Sequence, residues 1–270
     1  MASLSVTEAW KKTAAFVKAE ARLLFPLAFM LIALPAAVTR ALVPAVEVGE
    51  TPPSGSWVIA ALVAIVLALI GNLAISHLAL RPGTSVGEAL GQAGRRGPVL
   101  AGAVLLVGCG LLALGFLLSL VVSLVMMGTS AGSGQPPSSE AMMRAARILA
   151  LILLPVLFYV SARVMLMPAI AAAERGGPFA ILSRSWKLSA GHVMKLIGLL
   201  LILSLVAIVL QLAVESVLGL LLFALAGSVE PGSLGALLIL LVMALLNMVL
   251  GVYFATLIAR LYAQRAAGNG

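Results

Sequence analysis

The feature that most constrains this chain is a set of long runs without any Asp, Glu, Lys or Arg. The longest are the 43 residues 97–139, the 30 residues 51–80 and the 29 residues 231–259. A helix needs only about 20 apolar residues to cross the hydrocarbon core of a bilayer. Only 10% of the residues are charged, whereas in a soluble domain about a quarter are. The sequence therefore predicts an all-α, polytopic transmembrane helical bundle.

Six spans are predicted, within a single membrane domain over residues 1–270. The bundle occupies 23–262, and a short basic tail follows at 263–270. Prolines in the first span predict that it is the least regular of the six, because proline kinks a membrane helix. The fifth span is too long for one straight crossing, so it either tilts strongly or breaks near 211–216. The predicted spans are residues 23–44, 57–80, 98–127, 144–167, 192–226 and 233–262.

An interfacial amphipathic helix is predicted over residues 1–22. Ser5 and Glu8 have the spacing of a capping box, in which serine and glutamate side chains satisfy the first N–H groups of a helix. A cleaved secretory signal is the rival interpretation, and the acidic residues Glu8 and Glu20 argue against it. The expected apolar face, opposite Lys11, Lys12 and Lys18, carries Trp10, Ala14, Val17 and Leu24.

The connector between the second and third spans begins with the same pattern. Ser85 and Glu88 form a second capping box. Proline suits the first turn of a helix, where its missing N–H is not needed, so we expect Pro98 to open the third span. The sequence therefore predicts a separate short helix that ends near Arg96.

The most detailed polar segment lies between the fourth and fifth spans at residues 168–195, which we call the elbow. Pro178 follows two glycines and predicts the start of a short helix. Ser189 is predicted to be the N-cap of the fifth span. The spacing of three and four residues predicts that one face of the short helix, turned toward lipid, carries Phe179, Leu182 and Trp186.

Basic residues of the elbow are candidates for contact with lipid headgroups or with a partner protein. Arg184 and Lys187 are expected to point away from the apolar face, with Lys195 one turn into the fifth span and Trp186 at the boundary. Cations beside a bilayer are attracted to anionic lipids. The positive-inside rule alone would also account for them.

The distribution of basic residues predicts the orientation of the bundle. Arg40, Arg144 and Arg147 fall on one side of the predicted spans, and the other 14 of the 17 basic residues fall on the opposite side. Cytoplasmic loops carry the excess of Lys and Arg, so both termini and the elbow are expected to be cytoplasmic. The net charge of +8 is thus explained by anionic lipid, and no nucleic-acid partner is predicted.

Redox and metal chemistry have little support in this composition. Cys109 is the only cysteine, which rules out an intrachain disulfide. His77 and His192 are the only histidines, and the chain has no aspartate. The scattered glutamates form no ligand motif with them, so no metal or other cofactor is predicted.

Five polar residues within the spans are candidates for a polar path or for helix pairing. Polar groups in the bilayer are costly and often functional, but they also bond helices to one another. Arg163 could instead extend its guanidinium to the headgroups. Glu215 is expected to form an ion pair with Arg40, Arg144 or Arg147. The five residues are Asn72, His77, Arg163, Asn247 and Glu215.

The elbow resembles the YciC-like family of bacterial inner-membrane proteins and the related membrane domain of some glycerophosphoryl diester phosphodiesterases. The resemblance implies a six-span inner-membrane protein with no assigned catalytic residue. The acidic metal ligands of the phosphodiesterase barrel have no counterpart here, so hydrolysis is not implied. The residues that match the pattern are Pro168, Glu174, Gly177, Phe179, Ala180, Arg184, Ser185, Leu188 and Ser189.

These observations predict a non-enzymatic inner-membrane protein that contacts lipid or serves as an accessory in envelope maintenance. Its expected partners are anionic lipid headgroups, with a membrane protein or a second copy of the chain as further possibilities. The alternative is a small transporter or lipid-translocating protein that uses Asn72, His77 and Asn247 as a polar path. An intramembrane enzyme ranks third. A hydrophilic cavity reaching the middle of the bilayer would favour transport.

Overall fold

A computed structural model describes residues 5–43, 55–131, 138–226 and 233–267. Over these ranges the chain is helical and contains no strand, and six helical segments are long and apolar enough to cross a membrane. The predicted all-α bundle and its six spans are confirmed. The remaining residues, 44–54, 132–137, 227–232 and both chain ends, lie outside the described ranges.

Ten α-helices account for nearly all of the described chain. Helices α2 and α3 together form the first span, α4 the second, α5 the third, α6 and α7 together the fourth, α9 the fifth and α10 the sixth. Helices α1 and α8 lie outside the spans. The helices are α1 (Val6–Ala19), α2 (Ala21–Ala28), α3 (Leu34–Leu42), α4 (Ser56–Leu80), α5 (Val86–Ala131), α6 (Ser139–Val164), α7 (Met167–Ala173), α8 (Pro178–Ser189), α9 (Val193–Ala226) and α10 (Leu234–Ala267).

The first span is irregular, as its prolines predict. A π-helical turn at Phe29–Ala33 separates α2 from α3, between Pro26 and Pro35. This turn packs closely on α4, because a Cβ atom at Gly71 would lie 3.1 Å from side-chain atoms of Leu31 and Ile32. The third proline of the predicted span, at position 44, is outside the described residues.

The third span begins earlier than predicted, because α5 is a single helix of 46 residues that continues through Pro98. The separate connector helix ending near Arg96 is therefore wrong, although the Ser85 hydroxyl does accept from the Glu88 N–H at 3.2 Å. A membrane bundle tolerates proline within a helix. Buried residues continue on both sides of the proline, at Ala89, Ala93, Leu100 and Ala103.

The last two spans are also continuous helices. α9 runs unbroken over 34 residues, about 51 Å at 1.5 Å per residue, so of the two alternatives the break near 211–216 does not occur. A helix of that length exceeds a hydrocarbon core of about 30 Å and must tilt or project beyond it. α10 extends to Ala267, so most of the predicted tail is helical.

The predicted N-terminal helix is present as α1, and it packs on α10. The Ser5 hydroxyl accepts from the Glu8 N–H at 3.3 Å, which confirms the serine half of the capping box, while the Glu8 carboxylate pairs with Lys12. The Trp10 ring stacks on Tyr253 with 5.8 Å between centroids. The buried face differs partly from the predicted one, since Trp10 is half exposed and the buried residues of α1 are Ala9, Thr13, Phe16 and Val17.

Burial is confined to one end of the bundle, the end that carries the elbow. We call it the elbow half; it includes α1, α2, α7, α8 and the adjoining ends of the other spans. The opposite end is the far half, which comprises residues 56–70, 104–127, 140–161, 201–224 and 234–242. No residue of these five ranges is buried.

Candidate functional site

The short helix of the elbow, α8, begins at Pro178 as predicted and buries one side against the bundle. Ile181, Ser185 and Leu188 are buried, at spacings of four and three residues that place them on one face. Phe179 is 72% exposed and Trp186 is 39% exposed. Both aromatic side chains therefore keep exposed surface, whereas Ser185 is fully buried.

Arg163 of α6 fastens α8 to the fourth span. Its guanidinium donates to the Trp186 carbonyl at 3.0 Å and to the Tyr159 hydroxyl at 2.9 and 3.1 Å. The guanidinium carbon lies 5.3 and 5.0 Å from the centroids of the Tyr159 and Trp186 rings. The Ser185 hydroxyl donates to the Arg163 carbonyl at 2.7 Å. Arg163 therefore holds α8 against α6, and helix pairing is the one of its three interpretations that describes these contacts.

Glu174 connects the elbow to the last span. Its Oε1 accepts from the Tyr262 hydroxyl at 2.8 Å and from Arg184 Nε at 3.2 Å. Arg184, predicted to point away from the apolar face, forms an ion pair with Glu174 that the sequence analysis did not include. The sequence drew attention to Glu174 only through the family resemblance. An acidic residue ten positions before an arginine across a glycine turn was the signal that could have suggested the pair.

The junction between α8 and α9 also differs from the prediction. The Ser189 hydroxyl donates to the Trp186 carbonyl at 3.1 Å, so it closes α8 instead of capping α9. Gly191 has φ +78°, a left-handed conformation that favours glycine. Arg265 of α10 donates to the Ala190 carbonyl at 3.3 Å and contacts His192 Nδ1. The turn into the fifth span is therefore held by the C-terminal helix.

Two of the predicted cations remain available at this surface. Lys187 and Lys195 are exposed, and neither has a hydrogen bond or ion pair with any described residue. Met194, beside Lys195, is 79% exposed. We call this group the elbow surface; its members are Phe179, Trp186, Lys187, Met194 and Lys195.

A central cavity of about 470 Å³ lies where spans α4, α5, α6, α9 and α10 converge with α7, mostly in the elbow half and reaching the edge of the far half. Its volume falls within the range of about 300–1,000 Å³ that is typical of ligand sites. Three of its lining residues are polar, Asn72, Ser76 and Ser161. The apolar ones are Leu69, Leu100, Val104, Val164, Met165, Met167, Pro168, Leu200, Gly251, Phe254, Ala255 and Ile258.

The polar path predicted from Asn72, His77 and Asn247 is not assembled. Asn72 lines the cavity and donates from Nδ2 to the Ala68 carbonyl at 2.8 Å. His77 is buried outside the cavity lining; five residues along a helix rotate it about 140° from Asn72. Asn247 accepts from Gln211 of α9 at 2.9 Å and donates to the Met243 carbonyl at 2.8 Å. For Asn247, helix pairing is the interpretation that describes its contacts.

The ion pair predicted for Glu215 is wrong. Glu215 is exposed, and none of Arg40, Arg144 and Arg147 lies within salt-bridge distance of it. α9 places it in the far half, where no residue of the defining ranges is buried. Glu215 and the three arginines were predicted to lie on the same side of the membrane, but this does not bring them into contact.

Within the described ranges, no group of three histidine, cysteine or glutamate side chains comes close enough to hold a metal ion. The arrangement instead offers two physical opportunities. Exposed lysines and aromatic rings can contact the membrane boundary. An apolar cavity with a few hydroxyl and amide groups can receive an apolar molecule with a polar end.

Comparison with known proteins gives one match. The model of a family described as Domain of unknown function (DUF7847) matches residues 8–265. No curated protein and no solved structure matches. The resemblance to YciC-like proteins is not tested by this match and stays a prediction. Because the family match covers nearly all of the 270 residues, the chain belongs to the DUF7847 family of domains of unknown function.

Proposed function

We propose that this chain is a non-enzymatic protein of the bacterial inner membrane, with both termini cytoplasmic, that contacts anionic lipid headgroups through the elbow surface. Its role would be that of an accessory in envelope maintenance, alone, as a homo-oligomer or with a membrane-protein partner. The resemblance to YciC-like proteins supports the inner-membrane location, and the excess of basic residues on one side supports the orientation.

The observation that carries the proposal is the contrast between Arg184 and the two lysines. Arg184 is neutralised by Glu174, whereas Lys187 and Lys195 are exposed and have no acidic partner among the described residues. Phe179 and Trp186 expose apolar rings on the same helix as Lys187. Aromatic residues at a membrane boundary and lysines that reach headgroups from it are the usual elements of lipid contact.

The test compares lipid retention by the full chain and by the double variant Lys187→Glu/Lys195→Glu. Protein from vesicles containing equal phosphatidylglycerol and phosphatidylcholine is analysed by native mass spectrometry. We expect the wild type to retain more phosphatidylglycerol and the variant to lose this preference, since each cation near the surface contributes about 1 kcal/mol. The matched control is Arg144→Glu, an exposed cation of the far half. Equal preference in all three proteins would contradict the proposal.

The second candidate function is a small transporter or lipid-translocating protein, which the central cavity favours. The predicted polar path does not supply it, but Asn72, Ser76 and Ser161 give the cavity a polar component. Proteoliposomes with a fluorescent phospholipid test this candidate. Accelerated exchange of the lipid between leaflets, compared with protein-free vesicles, would support translocation, and an unchanged rate would exclude it.

A further inference from the structure

We propose that a small cavity at the membrane boundary binds the headgroup of an aminophospholipid, in which a primary ammonium is joined to a phosphodiester. The Glu20 carboxylate accepts from the ammonium, and the guanidinium groups of Arg22 and Arg81 contact the phosphate. This site is separate from the elbow surface and takes a different class of lipid, so it goes beyond the proposed function.

The cavity lies where α1 meets the first two spans, and its volume is about 160 Å³. Glu20 separates α1 from α2, the first span begins directly after it at Ala21, and the second span ends at Leu80. The ends of spans lie at the membrane boundary, among the lipid headgroups. The volume equals that of about five molecules of liquid water. It therefore suits a small headgroup and is too small for a drug-sized molecule.

Glu20 provides the cavity with a carboxylate that has no protein partner. Its side chain forms no hydrogen bond or ion pair with any described residue, and it does not cap α2. The residue is partly exposed, and neither of its carboxylate oxygens is buried. The carboxylate is therefore accessible to a cation that enters the cavity.

The C-terminal end of α4 adds a second feature that favours a cation. Leu78 and Pro82, on either side of the end of this helix, both line the cavity. A helix C-terminus carries a partial negative charge, and Pro82 has no N–H to donate to the carbonyl of Leu78. Thr84 also lines the cavity, and its hydroxyl donates to the Arg81 carbonyl at 2.9 Å. The lone pairs of this hydroxyl therefore remain available as acceptors.

Two arginines beside the cavity indicate that the ligand also carries a negative charge. Arg22 and Arg81 each immediately precede a residue that lines the cavity. Both are exposed, and neither lies within salt-bridge distance of Glu20. Guanidinium groups bind phosphate through paired hydrogen bonds. One accessible carboxylate between two exposed arginines matches a zwitterionic headgroup better than it matches a simple amine or a simple anion.

The first experiment identifies the amine at Glu20 by crosslinking. The full-length protein, in vesicles of phosphatidylethanolamine and phosphatidylglycerol, is treated with a carbodiimide, which joins a carboxylate to a primary amine as an amide with loss of water. Modified residues are mapped by mass spectrometry. The matched control site is Glu88, an exposed glutamate of the elbow half that has no ion pair with a described residue.

We expect the lipid to modify Glu20 about ten-fold more than Glu88, the equivalent of about 1.4 kcal/mol of preferential binding. Equal modification of the two glutamates would overturn the proposal. Water-soluble glycerophosphoethanolamine is the comparison probe. If it modified Glu20 as efficiently as the lipid does, the assignment to a lipid would be wrong.

The second experiment measures selectivity for the amine. Protein from vesicles with equal phosphatidylethanolamine and phosphatidylcholine is analysed by native mass spectrometry. The two lipids share the phosphate, but the trimethylammonium of phosphatidylcholine has no N–H to donate. We expect the wild type and the control Glu88→Gln to prefer phosphatidylethanolamine about ten-fold. Glu20→Gln keeps the size of the side chain and should abolish the preference. A preference that persisted in Glu20→Gln would refute the site.

The double variant Arg22→Gln/Arg81→Gln tests the phosphate contact. It should lower the crosslinking of lipid to Glu20 about five-fold, the equivalent of about 1 kcal/mol for a cation at the membrane surface. Unchanged or increased crosslinking would refute the role of the arginines. Failure of this site is read in Glu20→Gln with phosphatidylethanolamine, whereas failure of the elbow surface is read in Lys187→Glu/Lys195→Glu with phosphatidylglycerol. Either proposal can therefore be refuted alone.

Discussion

The two halves of the bundle are made of the same helices but are held together by different means. In the elbow half, helices converge on a buried core, and hydrogen bonds donated by Arg163, Tyr262 and Arg265 join elements far apart in sequence. In the far half, no residue of the five ranges that define it is buried, and large apolar side chains such as Leu112 and Leu205 are exposed. The same spans are therefore protein-packed at one end and lipid-facing at the other.

The difference in burial shows that the elbow half depends on contacts within the protein, whereas the far half depends on lipid. Lipid tails are as apolar as leucine, so a lipid-facing side chain gains little from packing against another helix. Close packing and hydrogen bonds must therefore supply specificity where the helices meet. The elbow half has both, and it also contains the elbow surface and most of the cavity lining. The far half needs only to remain helical and apolar to stay in the bilayer.

The largest expected effect comes from comparing one leucine in each half. Leu257 of α10 is fully buried, whereas Leu112 of α5 is 74% exposed. We expect Leu257→Ala to lower the free energy of unfolding by about 2–5 kcal/mol, because it leaves a cavity in a packed core. Leu112→Ala should change it by no more than about 0.5 kcal/mol, the usual limit for a surface site. Unfolding in mixed micelles measures both, and equal losses would refute the division into halves.

Much of this architecture could be predicted from hydrophobic runs alone. A helix in lipid must satisfy its own backbone, so long uncharged segments determine the spans and their number. The start of α8 at Pro178 and the capping serines Ser5 and Ser85 were also predictable. Each depends on neighbouring residues, which a single sequence contains.

Contacts between distant residues could not be predicted in the same way. Whether Arg184 meets a headgroup or Glu174, and whether Glu215 meets an arginine, depends on how far the helices stand apart. Proline rules likewise placed a helix start at Pro98, but the buried stripe of α5 continues through it. Packing decided these positions, and the hydrophobic pattern of a membrane helix carries little information about its neighbours.

The next effect in size concerns the link between the elbow and α10. Glu174→Gln removes the charge that binds Arg184 and weakens the bond from Tyr262. We expect a loss of about 1.5 kcal/mol, the low end for hydrogen bonds to a charged group, because the Glu174 and Arg184 side chains are 35% and 42% exposed. The control is Glu140→Gln in the far half, which should have no measurable effect. A larger loss at Glu140 would reverse the comparison.

A smaller effect is expected where the two halves meet. Gln211 of α9 and Asn247 of α10 are bonded at 2.9 Å. Polar pairs between membrane helices average about 0.6 kcal/mol in double-mutant cycles. We expect a coupling energy of about 0.6 kcal/mol from a double-mutant cycle. The cycle compares Gln211→Leu, Asn247→Leu and the double variant by unfolding in mixed micelles. A coupling near the value lost at Leu257 would show that the far half is held together as strongly as the elbow half.

The smallest effect is expected at the surface of the elbow half, where Lys12 Nζ lies 2.7 Å from Glu8 Oε1 on α1. The hydrogen bond and the charge of Lys12 lower the pKa of Glu8 below its usual 4.5. A lowered pKa stabilises the folded state above the usual value, and this contribution is lost as the pH falls through the lowered pKa. The difference in the free energy of unfolding between wild type and Glu8→Gln, followed by tryptophan fluorescence, should therefore be slight at pH 7 and vanish in acid. If the difference in unfolding free energy grew on acidification, the sign of this prediction would be wrong. If the difference were as large as the loss caused by Glu174→Gln, exposed ion pairs as well as the buried core would hold the elbow half together.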